Sequence, residues 1–243
     1  MGPKVGFWYR FAVMLGKPPV ILLFQRDWRG ASNIPADGGF IAAVNHNSYL
    51  DPLAYGQFQY KARRPPRFLA KESLFTGPVG RLLRATGQIP VSRSGADAMT
   101  ALRAAVEAVE RGDGVVFYPE GTLTRDPGMW PMSGRTGTAR VALMTKCPVI
   151  PVAQWGANVL LPPYGKMGRI FPRTRHTVLA GPPVDLSRFY DREMTPEVLR
   201  EATEEIMKAI TGLLAEIRGE TAPPTPRDRN KRVAESAAAA SHD

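Results

Sequence analysis

From residue 40 onward, short apolar runs alternate with helical stripes, and that alternation leaves few architectures open. Residues 40–45 (FIAAVN) are a continuous apolar run of strand length, the pattern of a strand buried on both faces. Similar runs occupy 67–70, 88–91, 115–118, 149–154 and 176–181. Between them, Met99, Leu102, Val106 and Val109 form one stripe of a helix that stops at Gly112, and 135–146 reads as another helix. Thr195, Pro196 and Glu197 make a helix start, followed by the stripe Leu199, Ala202, Ile206, Ile210, Leu213 and Ile217. Strands alternating with helices predict an α/β fold: an open, mainly parallel sheet flanked by helices.

The two ends differ from this middle. Residues 5–15 read VGFWYRFAVML; Gly16-Lys17-Pro18-Pro19 follows, then VILLF to Phe24. A bilayer-spanning helix needs about 20 mostly apolar residues. Here Arg10 and Lys17 interrupt the window and the proline pair breaks it. The small-residue cleavage pattern of a signal peptide is absent as well. Residues 1–25 are expected to form two short amphipathic helices, the second after Pro19, docked on a membrane surface. Packing on the chain's own core is the plainer reading of the same residues. Residues 26–218 are expected to form the folded domain. Residues 219–243, with Pro223, Pro224, Pro226, RDRNKR and an alanine run, read as a disordered basic tail. The expected location is peripheral, on the cytoplasmic face of the cell membrane.

Charge and rare residues narrow the chemistry. The 32 Lys+Arg against 22 Asp+Glu leave +10, which favours an anionic partner such as a phospholipid surface. Nucleic acid is disfavoured, because the aromatics cluster at the N-terminus rather than along a basic reading element. The single cysteine, Cys147, and the three histidines exclude an internal disulfide and argue against a metal site. No glycine-rich nucleotide fingerprint is present.

Two segments at strand ends could carry chemistry. Asn45-His46-Asn47-Ser48-Tyr49-Leu50-Asp51 follows the run at 40–45, at the edge where open parallel sheets place their sites. A histidine can take a proton from a hydroxyl at neutral pH when a carboxylate fixes its tautomer. Asp51 can fold back to His46 if a helix starts at Asn47 or Ser48. The spacing suits equally a capping histidine with Asp51 as a turn residue before Pro52. The second segment is Tyr118-Pro119-Glu120-Gly121-Thr122-Leu123-Thr124-Arg125. Gly121 permits close backbone approach, Thr122 and Thr124 offer hydroxyls, and Arg125 offers a fork for phosphate; a plain strand-to-loop turn would look the same. Lys71, Arg93 and Arg125 each follow a candidate strand. Singly each reads as a surface charge, but together they could hold a phosphate monoester.

His46 to Asp51, with Asn45 before it, resembles the signature of the glycerolipid acyltransferases, the lysophosphatidic acid (1-acylglycerol-3-phosphate) acyltransferases among them. The resemblance continues in order: Phe68-Leu69-Ala70-Lys71, then Gly87 to Arg93, then Tyr118-Pro119-Glu120-Gly121-Thr122, then Val149-Ile150-Pro151-Val152. It covers about residues 38–182 and departs at one position, Leu123, where the family carries arginine. The resemblance implies acyl transfer from an acyl thioester to the hydroxyl of lysophosphatidic acid, giving phosphatidic acid for phospholipid synthesis. His46 would be the base, oriented by Asp51. Lys71, Arg93 and Arg125 would hold the phosphate, and Glu120, Gly121 and Thr122 would shape the acceptor site. No cofactor is expected beyond acyl-CoA or acyl carrier protein as co-substrate. A glycolipid acceptor, or a non-catalytic lipid-binding protein on the same fold, are the alternatives.

Overall fold

A computed structural model describes residues 6–91, 95–168 and 170–228, with backbone only at 95–98. The chain runs α1 (Phe7–Leu23), β1 (Phe24–Arg29), β2 (Phe40–Val44), α2 (Asp51–Lys61), β3 (Pro66–Lys71), α3 (Gly77–Ala85) and β4 (Ile89–Val91). It continues α4 (Gly95–Glu110), β5 (Gly114–Phe117), α5 (Gly137–Thr145), β6 (Val149–Trp155), α6 (Ala157–Leu160), β7 (Thr174–Ala180) and α7 (Pro196–Arg218).

The seven strands form one sheet in the order β1-β7-β6-β2-β5-β3-β4. Five neighbouring pairs are parallel and one, β6 with β7, is antiparallel. The expected open, mainly parallel sheet is therefore what the chain forms. Its centre is buried on both faces, which is why β2 and β5 read as unbroken apolar runs and β6 as one interrupted only by buried Gln154. On one face α4, α5 and α7 cover Ile41, Val115 and Val149 through residues such as Ala105, Ala142 and Ile206. On the other, α2 covers Phe40, Ala42, Val116 and Ile150 with Tyr55 and Phe58. The helix caps follow the sequence: Thr195 Oγ1 accepts the Val198 amide at 3.3 Å, and Gly112 ends the α4 turn at φ +90°.

The N-terminus differs from expectation. It forms one helix, α1, running through Pro18 and Pro19. The two prolines withdraw only the amides that would bond the carbonyls of Met14 and Leu15, and both of those residues are exposed, so water can replace the lost partners. The inner side of α1 packs: Val20, with Phe24 just beyond the helix, is buried against Ala54, Ala157 and Leu160. Phe7, Trp8, Met14, Leu15 and Leu22 stay exposed. Among the described residues no helix is long and apolar enough to cross a membrane.

The start of the expected tail also departs from the reading. Ser133 donates its amide to the Arg227 carbonyl at 3.0 Å, and Ala222 packs with Trp130, Trp155 and Leu213. The Arg218 guanidinium lies between two rings, 4.2 Å from the centre of Trp130 and 4.5 Å from that of Trp155. Residues 219–228 thus close over the loop after β5. Residues 229–243 lie outside the described residues.

Candidate active site

Where β2 leaves the sheet, Asn45 prolongs its pairing with β6. Its Oδ1 accepts the Gln154 amide at 2.7 Å and its Nδ2 donates to the Gln154 carbonyl at 3.0 Å. The next residue, His46, is thereby held at the carboxyl edge of the sheet. The chain then turns into α2, whose first residue is Asp51. Ser48 Oγ fixes this turn by donating to the Leu161 carbonyl at 2.8 Å.

Asp51 is fully buried. Its Oδ2 lies 2.9 Å from His46 Nδ1 and accepts the amides of Asn47 at 2.7 Å and Ser48 at 2.8 Å. Burial raises the Asp51 carboxyl above its ordinary range, while the bond to His46 and the two amides pull it back down. An acceptor already holding two N–H groups makes Nδ1 the protonated nitrogen of His46. Nε2 is then the free base. The ring stacks on Tyr118, with centroids 4.2 Å apart and planes at 23°, and 16 % of the side chain remains exposed. Packing and the carboxylate together leave the imidazole one orientation.

Glu120 sits beside this pair and is also fully buried. Its Oε1 accepts the His46 amide at 3.1 Å, and its Oε2 accepts the Met132 amide at 3.0 Å. Burial pushes its carboxyl up to about 8 against those two bonds. Thr124 adds a third tie, donating its amide to the His46 carbonyl at 2.7 Å. The backbone of His46 is thus gripped on both sides by the loop that follows β5. Sequence reasoning placed Glu120 in the acceptor site; its two oxygens face backbone amides instead.

Gly121 turns this loop at φ +69°. A β-carbon there would come within 2.6 Å of Arg135 Nε, so the exposed Arg135 side chain lies directly on the glycine. Thr122 Oγ1 is 3.2 Å from the Tyr164 hydroxyl. The family-arginine position, Leu123, is buried at 4 % exposure. Arg125 follows Thr124 in the same loop, but its Nε is buried without a hydrogen-bond partner. Lys71 is exposed at the carboxyl end of β3, two strands from β2 in the sheet order, about 10 Å across. Arg93 lies outside the described residues. Arg135 escaped the sequence reading because it stands at a helix start, ten residues beyond Arg125. No metal-ligating cluster occurs among the described residues.

The sequence model of the acyltransferase family matches residues 25–155, more than half of the 243 residues. The chain is 30% identical over 145 residues to the chloroplastic 1-acyl-sn-glycerol-3-phosphate acyltransferase of Brassica napus, covering 57% of this chain and 40% of that protein. It is 26% identical over 160 residues to the 1-acyl-sn-glycerol-3-phosphate acyltransferase of Bacillus subtilis, covering 65% and 72%. The crystal structure of the 1-acyl-sn-glycerophosphate (LPA) acyltransferase of Thermotoga maritima superposes with a TM-score of 0.62 at 26% identity, over 88% of this chain and 81% of that one. The chain therefore spans well under half the length of the Brassica relative and most of the two bacterial ones. The matched residues contain β2, the His46–Asp51 pair and the Glu120 loop, and on that match the chain belongs to the acyltransferase family.

Proposed function

We propose that the chain acylates the free hydroxyl of lysophosphatidic acid with an acyl thioester, giving phosphatidic acid at a membrane surface. The observation that carries this reading is the fixed imidazole: Nδ1 at 2.9 Å from a buried carboxylate, with Nε2 free.

In the proposed reaction His46 Nε2 takes the hydroxyl proton as the oxygen attacks the thioester carbonyl. Asp51 stabilises the imidazolium that forms. The tetrahedral adduct collapses, the C–S bond breaks, and the imidazolium returns its proton to the departing thiolate. The thioester is already activated, so no acyl-enzyme is required. Arg135, exposed on Gly121, is the cation best placed for an acceptor phosphate, with Lys71 and Arg93 as further candidates and Arg125 set back by its buried Nε; Gly121 and Thr122 line its approach. Acyl-CoA and acyl carrier protein serve this chemistry equally. Buried Leu123, in place of the family's arginine, favours a glycolipid acceptor as the second reading.

The test is acyl transfer to a panel of lyso acceptors, with and without a phosphate monoester. Turnover confined to lysophosphatidic acid supports the first reading; turnover of an uncharged glycolipid in preference to it supports the second. A purified folded chain that acylates neither would refute both.

A further inference from the structure

The antiparallel pairing of β6 and β7 keeps the connection between them at one edge of the sheet. Trp155, the last residue of β6, pairs with Thr177 near the start of β7. Residues 156–173 therefore never cross to the opposite edge, as a parallel connection would. They stay beside His46, tied by the bond from Ser48 Oγ to the Leu161 carbonyl and by the approach of Tyr164 to Thr122.

This connection presents large apolar side chains to solvent: Phe171 is 66 % exposed, Val159 61 %, Met167 52 % and Ile170 41 %. Its sequence contains Lys166, Arg169 and Arg173 and no carboxylate. At its far end Arg173 Nη1 donates to the Ile21 carbonyl of α1 at 3.1 Å, next to exposed Leu22. Apolar side chains with cations among them form a surface suited to the boundary of an anionic bilayer. This surface runs from the mouth of the site to the end of α1.

We propose that residues 159–168 and 170–173 are a bilayer contact that sets the mouth of the site against the membrane, with Met167, Ile170 and Phe171 inserted and Lys166 and Arg173 on lipid phosphates. The proposal rests on the reading of a lipid acceptor, because a site opening onto the membrane receives its substrate without exposing the acyl chain to water.

The full chain carrying Met167→Cys, labelled with an environment-sensitive fluorophore, tests it; the other cysteine, Cys147, is buried. Vesicles of phosphatidylcholine with phosphatidylglycerol should shift the label's emission to the blue, and phosphatidylcholine alone should shift it much less. The double variant Met167→Asp/Phe171→Asp should lose about tenfold in vesicle binding, equivalent to about 1.4 kcal/mol. Its KM for vesicle-borne acceptor should rise, while its rate on a short-chain acceptor below the micellar concentration stays that of wild type. A label that remains in water while the chain floats with vesicles overturns the proposal, as does a chain that binds no vesicles. If the label shifts but wild-type protein acylates no acceptor, the proposed function fails and the bilayer contact stands.

Discussion

Glu120 holds the backbone of His46, with Oε1 accepting the His46 amide at 3.1 Å. Burial moves its carboxyl from an ordinary 4.5 to about 8. Between those values the folded chain keeps a proton that the unfolded chain has released. Stability attributable to this group is therefore intact below about pH 4.5 and declines as pH rises towards about 8. The slope reaches about 1.4 kcal/mol per pH unit. Glu120→Gln, neutral throughout, should flatten that slope, while Glu120→Ala leaves two buried amides unpaired at a cost of about 1–3 kcal/mol each. Denaturant unfolding of wild type and Glu120→Gln from pH 5 to pH 8 checks this; parallel curves would show that Glu120 is ionised throughout.

His46→Ala should lower turnover by about 10²–10⁴ with the fold retained. Asp51→Asn should be less active than wild type and also less stable. Its single carbonyl oxygen can replace Oδ2, which now takes all three N–H groups, but without the negative charge, and its NH2 group would stand in the buried, partnerless place of Oδ1. Steady-state kinetics with circular dichroism on both variants decides this, and near-normal kcat in folded His46→Ala would remove His46 from the chemistry.

Arg125 and Arg135 are expected to separate. Arg135 lies exposed on Gly121, whereas Arg125 has its Nε buried. Arg135→Ala should raise KM for a phosphate-bearing acceptor by about tenfold or more, the value of one charge-assisted bond. Arg125→Ala should mainly lower the melting temperature. Acceptor KM measured alongside thermal unfolding tells the two roles apart, and the reverse pattern would place the phosphate contact on Arg125.

Docking through α1 is better tested by substitution than by removing residues 1–25, because Val20 and Phe24 belong to the core. Phe7→Asp with Trp8→Asp touches only exposed rings and should weaken flotation with anionic liposomes, leaving the melting temperature within about 1 °C of wild type. Unchanged flotation would mean that α1 does not dock.

The fold was legible wherever burial is two-sided. β2, β5 and β6 announce themselves because water reaches neither face. β1 did not, since an edge strand tolerates the charges of Phe24–Arg29 (FQRDWR), of which only Phe24 is buried. In α2 the apolar residues are broken up by Gln57, Gln59 and Lys61, so periodicity is weak even though Tyr55 and Phe58 are core. At the site, the five-residue spacing of His46 and Asp51 is local, and a turn is enough to close it. The grip of Glu120 on His46 joins residues 74 apart through a backbone amide, and no side-chain pattern encodes such a partner. The contact of Arg135 with Gly121 depends likewise on the path of the loop rather than on spacing.

The bond from Ser133 to Arg227 and the Arg218 guanidinium between Trp130 and Trp155 bear on the order in which the chain matures. During synthesis the segments that carry His46, Glu120 and Met132 emerge well before residues 218–227. A chain still held at its C-terminal end can assemble its sheet yet lacks the segment that fastens the loop supplying Met132 to Glu120. The site edge is then the last part of the molecule to set, and a ribosome-stalled or C-terminally clipped chain should hold its sheet but lack a fastened site edge.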